Sequence, residues 1–390
     1  MTVWIIEPRD PLIVRDGRPF GPVPGARAVS LAFPFPSTTT GAVRTRDGLD
    51  AVSRFQPSEI PRVKQINVRG PLLVELDAGT GDVTRWLVPA PADALLLDLE
   101  PADTTRAILK WLVPLQLPPG ASTDLPDALA PVGMARRDPR KPCGKAPRYW
   151  DWGFFEQWLL DPHDREVSLA DLGHNGPIRD ARIHVSIRPE TQTADEERGA
   201  LFQTRGLEFT HLPEGRALSG ARRLGLAVAT DGPNLKPGIA PLGGERRVVF
   251  WRQSGKTLPS LPDALKEKIA ALHHCRLILL TPAHFTAGWK PAWLLEGRED
   301  VVPSLRAVAL RGCQTVSGWD FEKGKPKPTR RLAPAGTVYF LKLDGDSAAI
   351  KRWVDTIWMH CVSDGGQDRR DGFGLAVLGV WDGTFRRMEV

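Results

Sequence analysis

Cysteine is scarce: four residues in 390, and Cys143, Cys275, Cys313 and Cys361 stand too far apart to form a CxxC pair. That spacing gives no cysteine zinc site, and so few cysteines fit free thiols in a reducing cytoplasm better than a disulfide scaffold. No stretch approaches about 18 apolar residues, so the chain offers no candidate transmembrane helix. Met1 to Arg9 lacks the basic flank and apolar run of a signal peptide. Nucleotide and metalloprotease signatures are missing as well. Gly255-Lys-Thr257 ends like a P-loop, but the first glycine it requires falls on Phe250, and there is no HExxH. Gly372-Phe-Gly374 begins like GxGxxG, but the sixth position is Val377. His273 and His274 are adjacent, and neighbouring positions face different directions, which makes a poor joint metal site. Asp344, Asp346 and Asp364 lie at helix ends, where capping explains them. The residues offer no catalytic set, no metal site and no cofactor.

Surplus charge is also modest. Lys plus Arg is 52 against 46 Asp plus Glu, a net +6. This permits a nucleic-acid partner without demanding one, because a local stripe matters more than the total.

What is abundant is proline, 36, and glycine, 37, which predict many turns. Tryptophan is frequent at 13 against two tyrosines, and each can serve core, interface or base stacking. The length suits two domains, or one with large insertions. Thr2 to Glu7 reads as a buried strand. Ser37 after Pro36 reads as the N-cap of a helix. Ile66 to Val68, Leu72 to Leu76, Trp86 to Val88 and Ala94 to Leu99 are strand-like. Ile108, Leu109 and Leu112 predict a helix over Pro101 to Val113. Residues 114 to 147 are proline-rich and read as a long loop or arm, and residues 153 to 160 as a short aromatic helix. Further strands follow near 182–187, 199–209, 224–229 and 247–251. A helix carries Leu261, Leu265, Ile269 and Leu272 on one face. Strands near 277–280, 305–310, 336–343 and 375–381 surround a helix capped by Ser347, with Ile350, Trp353, Val354, Ile357, Trp358 and Cys361 at helical spacing. The mosaic predicts an α+β fold with antiparallel sheets: two ferredoxin-like (RRM-type) βαββαβ domains with insertions. These are expected over 1–177, carrying an irregular basic insertion at about 114–160, and over 178–390.

Three features point to RNA. Ser37, Thr38, Thr39 and Thr40 open a helix, where free N–H groups and hydroxyls make a phosphate cradle, and Arg44 and Arg46 follow within two turns. Two basic clusters lie in proline-rich segments that can track a backbone: Arg136, Arg137, Arg140, Lys141, Lys145 and Arg148, and Lys323, Lys325, Lys327, Arg330 and Arg331. Finally, Asp371-Gly-Phe-Gly374 leads into a strand. Gly372 and Gly374 let another backbone come close, and Phe373 is there to stack or plug. Phe202 and Phe209 are candidate base platforms of the RRM kind. A capped helix, solvated charge runs, a hairpin turn and core phenylalanines are the bland alternatives to each.

The opening Trp4-Ile-Ile-Glu-Pro-Arg-Asp-Pro-Leu-Ile-Val-Arg-Asp-Gly-Arg-Pro-Phe-Gly21 and Phe33-Pro-Phe-Pro-Ser-Thr-Thr-Thr-Gly-Ala-Val-Arg44 resemble the N-terminus of the third-subunit family of the type III-B CRISPR effector, the Cmr complex. Thr191-Gln-Thr-Ala194 with Gly199-Ala-Leu-Phe202 resembles that family's second-half signature. Pro334-Ala-Gly-Thr-Val-Tyr339 and Gly372-Phe-Gly374 resemble the strand and glycine loop of the wider RAMP superfamily. The resemblance covers both halves, though not residues 114 to 180. It implies two fused RRM-like domains in a non-catalytic cytoplasmic subunit that holds the repeat-derived 5′ handle of the crRNA. It further implies contact with the large cyclase-type subunit and a backbone RAMP subunit, indirect contact with target RNA, and no membrane. Arg15 and Arg18, in the turn of the first motif, join the RNA-binding candidates above. Two rivals remain: a RAMP endoribonuclease that processes repeat RNA through His174, His184 or His211, and a subunit that only binds proteins.

Overall fold

The computed structural model describes residues 1–15, 27–28, 30–100, 103–126, 129–194, 201–213, 216–320 and 322–389. The fold is mixed α+β, built largely from antiparallel sheets. The first sheet is centred on β1 (Thr2–Pro8). Helix α1 (Pro36–Asp47) and β2 (Val68–Leu76) follow, and much later β3 (Arg222–Thr230) and β4 (Val248–Gln253). Their order is β2-β3-β1-β4, antiparallel throughout. Strands 83–89, 149–151 and 173–174 extend the β2 side, and 238–241 the β4 side. Residues Val3 to Ile6 are buried on both faces of this sheet. Trp4 and Ile6 join the cluster that holds Val43 of α1, whereas Val3 and Ile5 pack on the opposite face. That two-sided burial is why β1 is a continuous apolar run without alternation.

The second sheet holds β5 (His274–Leu279), β6 (Val302–Ala309), β7 (Val338–Asp344) and β8 (Leu375–Val380), in the order β6-β7-β5-β8. It is covered by α3 (Asp263–Leu272) and α4 (Ser347–Ile357). Ala349, Ile350, Trp353, Val354 and Ile357 form the buried face of α4, the 3.6-residue period read from sequence. Its cap is not Ser347. The carboxylate of Asp346 accepts the Ala349 N–H at 2.7 Å, while Ser347 Oγ donates to Ala270 O of α3 at 3.3 Å.

The expected helix over 101–113 is instead a strand, Asp103–Trp111. It pairs with Ala94–Glu100 on one side and Arg165–Ser168 on the other. Thr104 and Thr105 favour extended backbone, and the strand's inner face is set by Ala107 and Leu109, both fully buried. The apolar spacing at 108, 109 and 112 only mimics a helical stripe. The proline-rich arm is anchored: Asp98 N–H donates to Lys141 O at 2.9 Å and Cys143 N–H to Leu96 O at 2.8 Å. The arm ends in the strand Tyr149–Asp151 of the first sheet, followed by α2 (Trp152–Leu160). The first sheet also runs past the expected division at 177/178, since β3 and β4 both pair with β1.

The insertion between β2 and β3 ties the two sheets together. Leu96, Leu109, Trp150, Phe155 and Trp158 share one core with β5, β7, β8 and α4. At its centre Arg276 Nη1 donates to Asp93 Oδ2 at 2.6 Å, with both side chains fully buried. Arg276 also donates to Trp158 O at 2.6 Å and Val380 O at 2.9 Å. Trp150, Trp158, Trp251, Trp353 and Trp381 are completely enclosed, so these tryptophans are core.

Candidate RNA interface

Helix α1 begins two residues earlier than expected. Pro36, with its fixed φ, occupies the first turn, and Phe35 is the N-cap without any side-chain hydrogen bond. Ser37 is therefore inside the helix, not its cap. Thr39 Oγ1 donates to Pro36 O at 3.1 Å and Thr40 Oγ1 to Asp371 O at 2.7 Å, both buried. Only Ser37 and Thr38 keep partial exposure.

Thr40 thus brings the helix start against the glycine loop. Arg44 completes the junction: Nη1 donates to Asp371 Oδ1 at 2.6 Å and Nη2 to Ile66 O at 3.0 Å. Gln367 Nε2 donates to the same Asp371 oxygen at 2.8 Å. Gly372 and Gly374 have φ of +89° and +83°. A Cβ on Gly372 would meet Gly70 O at 2.7 Å, and one on Gly374 would meet Ser363 N at 2.9 Å, so both positions require glycine. Phe373 is fully buried with Phe35, Val316 and Leu332. It plugs the junction and offers no face to a base, which corrects its place among the RNA-contacting residues.

The remaining cations divide. Arg15 pairs with Glu245, and Arg18 lies outside the described residues. Arg46 donates to Lys236 O at 2.7 Å and covers the Trp251 ring at 5.8 Å; burial lowers its pKa. Arg140 donates to Asp138 through Nε and Nη2 at 2.9 and 2.8 Å. That donation holds the Asp138 carboxyl down at about 2, so Arg140 is locally neutralised. Arg136 sits 3.8 Å from Glu389 with both side chains exposed, and Arg137 and Lys141 are exposed. The second basic segment is not a plain loop: Lys325–Pro326 pairs with Trp319–Asp320, and Arg330–Leu332 with Gln314–Val316. Lys325, Lys327 and Arg331 face solvent. Arg330 pairs with Asp368 and lies over Phe373 at 5.2 Å, and Lys64 pairs with Glu322. These two contacts lay the second segment against the junction.

A cleft of about 760 Å³ opens between the sheets, beside Phe35 and Pro36 at the start of α1. Tyr149 and Arg148 from the end of the arm line it, as do Thr281 and Arg311 from the second half. Its wall is mostly apolar, with Arg148, Thr281, Arg311, Gln314 and Thr337 as polar side chains, which suits a flat apolar group edged with hydrogen-bonding atoms. Nothing local in the sequence marks this cleft; it exists only because the arm returns to the first sheet.

The histidines of the nuclease alternative do not converge on an open site. His174 is buried, with Nε2 at 3.2 Å from Glu75 Oε1, and its Nδ1 accepts the Gly176 N–H at 3.0 Å. His211 stacks on it at 3.9 Å, and burial, then the neighbouring His174, lowers its pKa to about 4. His184 lies 2.8 Å from Thr204 Oγ1 and stacks on Phe202 at 5.1 Å. Phe209 is core. Among the described residues no group of three or more His, Cys, Asp or Glu side chains could hold a metal ion, and no helix is long and apolar enough to cross a membrane.

The sequence matches the family described as CRISPR-associated protein (Cas_Cmr3) over residues 4–381. The chain belongs to that family. It is thus a CRISPR-associated protein of the Cmr type, as its N-terminal motif pair implied. No curated protein matches it. Solved chains similar to it include one from a type III-B Cmr-beta complex bound to cognate target RNA, at 14% identity and TM-score 0.47 over 96% of each chain. Another comes from the Cmr-beta complex with cognate target RNA and AMPPnP, at 14% identity and TM-score 0.45, covering 91% of this chain and 88% of that one. A third comes from a Csm3–Csm4 subcomplex of the type III-A interference complex, at 10% identity and TM-score 0.34, covering 89% and 94%.

Proposed function

We propose that this chain is a non-catalytic subunit of a type III-B Cmr effector that holds the 5′ handle of the crRNA and bridges the large subunit to the RAMP backbone subunits. The observation that carries the reading is convergence: the start of α1 and the glycine loop, distant in sequence, meet at Asp371. An exposed basic segment lies beside them. In this reading phosphates run along Ser37, Thr38, Lys325, Lys327 and Arg331, with Arg137 and Lys141 on a second approach. Such contacts position RNA without reading its sequence. A splayed handle base enters the cleft near Phe35 and Arg148, as single-stranded RNA recognition generally requires. Thr39, Thr40, Arg44 and the glycines act indirectly, by fixing the junction.

Each half reads as one ferredoxin-like unit, because the orders β2-β3-β1-β4 and β6-β7-β5-β8 are both the 2-3-1-4 order of that fold. The division then falls between β4 and α3, near residues 254–262. The protein works in the cytoplasm and meets target RNA only through the guide.

Purification of the tagged chain from its native cell, followed by identification of what travels with it, tests the reading. Short RNAs sharing one repeat-derived 5′ end, together with other Cmr subunits, are expected. A chain recovered without RNA would defeat it.

A further inference from the structure

His284 follows β5 and belongs to none of the features above. Its Nδ1 lies 2.8 Å from Asp368 Oδ2, on α5 (Gly366–Arg370). A carboxylate only accepts hydrogen bonds, so Nδ1 carries the proton. In the neutral ring this leaves Nε2 as a lone-pair acceptor. The backbone around the ring is pinned: His284 N–H donates to Ser363 Oγ at 3.0 Å, and Asp364 N–H donates to His284 O at 3.1 Å. The ring is 28% exposed, and Arg330, on the other oxygen of Asp368, is 24% exposed. Gly365, Gly366 and Gln367 alongside are open to solvent. One carboxylate therefore holds an oriented imidazole and a guanidinium side by side at the edge of the glycine loop. Base stacking next to them is blocked, because Arg298 and Arg369 lie 3.5 and 4.2 Å from the centre of the Trp293 ring.

We propose that His284 Nε2 accepts a hydrogen bond from one ribose 2′-hydroxyl of the guide RNA while Arg330 grips the neighbouring phosphate, which makes this a site that selects RNA against DNA. The proposal rests on the guide-binding reading. With Nδ1 holding its proton against Asp368, the 2′-hydroxyl supplies the donor that the Nε2 lone pair accepts, whereas phosphate oxygens only accept. A deoxyribose there leaves the acceptor unpaired.

The RNA recovered with the complex is resynthesised with single 2′-deoxy substitutions and titrated against the full chain and its His284→Ala variant. At one nucleotide the 2′-deoxy change should weaken binding about 5- to 10-fold in the wild type, the value of one hydrogen bond. It should cost less than about 2-fold in His284→Ala, as expected where two changes remove the same contact. Arg330→Ala should weaken all these RNAs alike and keep the 2′-deoxy penalty. A 2′-fluoro nucleotide, which cannot donate, should lose as much as the deoxy one, a check that needs no protein variant. Penalties that persist in His284→Ala, or a 2′-fluoro RNA that binds like the unmodified one, overturn the proposal. A complex carrying no RNA defeats the guide-binding reading and this site with it; a guide-bound complex without a coupled 2′-hydroxyl defeats the site alone.

Discussion

The junction around Asp371 and the basic segment at 322–331 lie against each other and handle charge in opposite ways. At the junction Arg44 is turned inward onto a carboxylate and two carbonyls, and in the core beneath the insertion Arg276 is enclosed completely. In the basic segment Lys325, Lys327 and Arg331 stand in solvent. Inward arginines hold sheets and loops in register; outward cations attract a polyanion. A single chain can therefore be rich in arginine in one region while only a fraction of that charge faces solvent.

The strongest challenge to this division is Arg276→Ala. Removing one partner of an enclosed pair strands Asp93, so stability should fall by about 3–5 kcal/mol, read from denaturant unfolding; a loss under about 1 kcal/mol would make the pair dispensable. Arg44→Ala comes next. Among the described residues the Asp371 carboxylate then keeps Gln367 as its donor, and about 2 kcal/mol should be lost. Guide RNA binding should fall in step, because the site follows the junction; normal stability with weakened binding would move Arg44 to the outward class. The triple variant Lys325→Ala, Lys327→Ala and Arg331→Ala should leave stability within about 0.5 kcal/mol. The slope of log affinity against log salt should shrink by about 2, at roughly 0.7 per lost phosphate contact on a single strand. An unchanged slope would remove this segment from the RNA path. The smallest effect concerns pH. Because the folded-state pKa of His211 is depressed from 6.5 to about 4, its contribution is full above about 6.5 and is lost as the pH falls toward about 4. His211→Phe should flatten the stability profile in that window.

Several elements were legible because their cause is local. β1 and α4 announce themselves through an apolar run and a helical stripe. The helix starts were placed almost correctly, but Ser37 and Ser347 each lost the cap to the residue arrangement before them, Pro36 at the first turn in one case and the Asp346 carboxylate in the other. Asp103–Trp111 was misread because three apolar residues near one another fit either period, and only its two partner strands decide. The glycine loop was recognisable, yet whether Phe373 stacks or plugs depends on Phe35, Val316 and Leu332, which no local pattern brings to it. The candidate site was thus visible as separate motifs. Their meeting at Asp371, the cleft and the His284–Asp368 pair are products of long-range packing.

The position of β1 has a consequence for how the chain is made. Its two neighbours in the sheet are residues 222–230 and 248–253, so this strand is synthesised long before either partner exists. At about 5–20 residues per second, Trp4 and Ile5 wait on the order of 10–50 s before the far edge of their sheet is synthesised. During that interval an apolar strand is unpaired on both sides. Synthesis is therefore a moment of aggregation hazard for this strand, and a chaperone that shelters nascent β1 should raise the yield more than one acting on the finished chain.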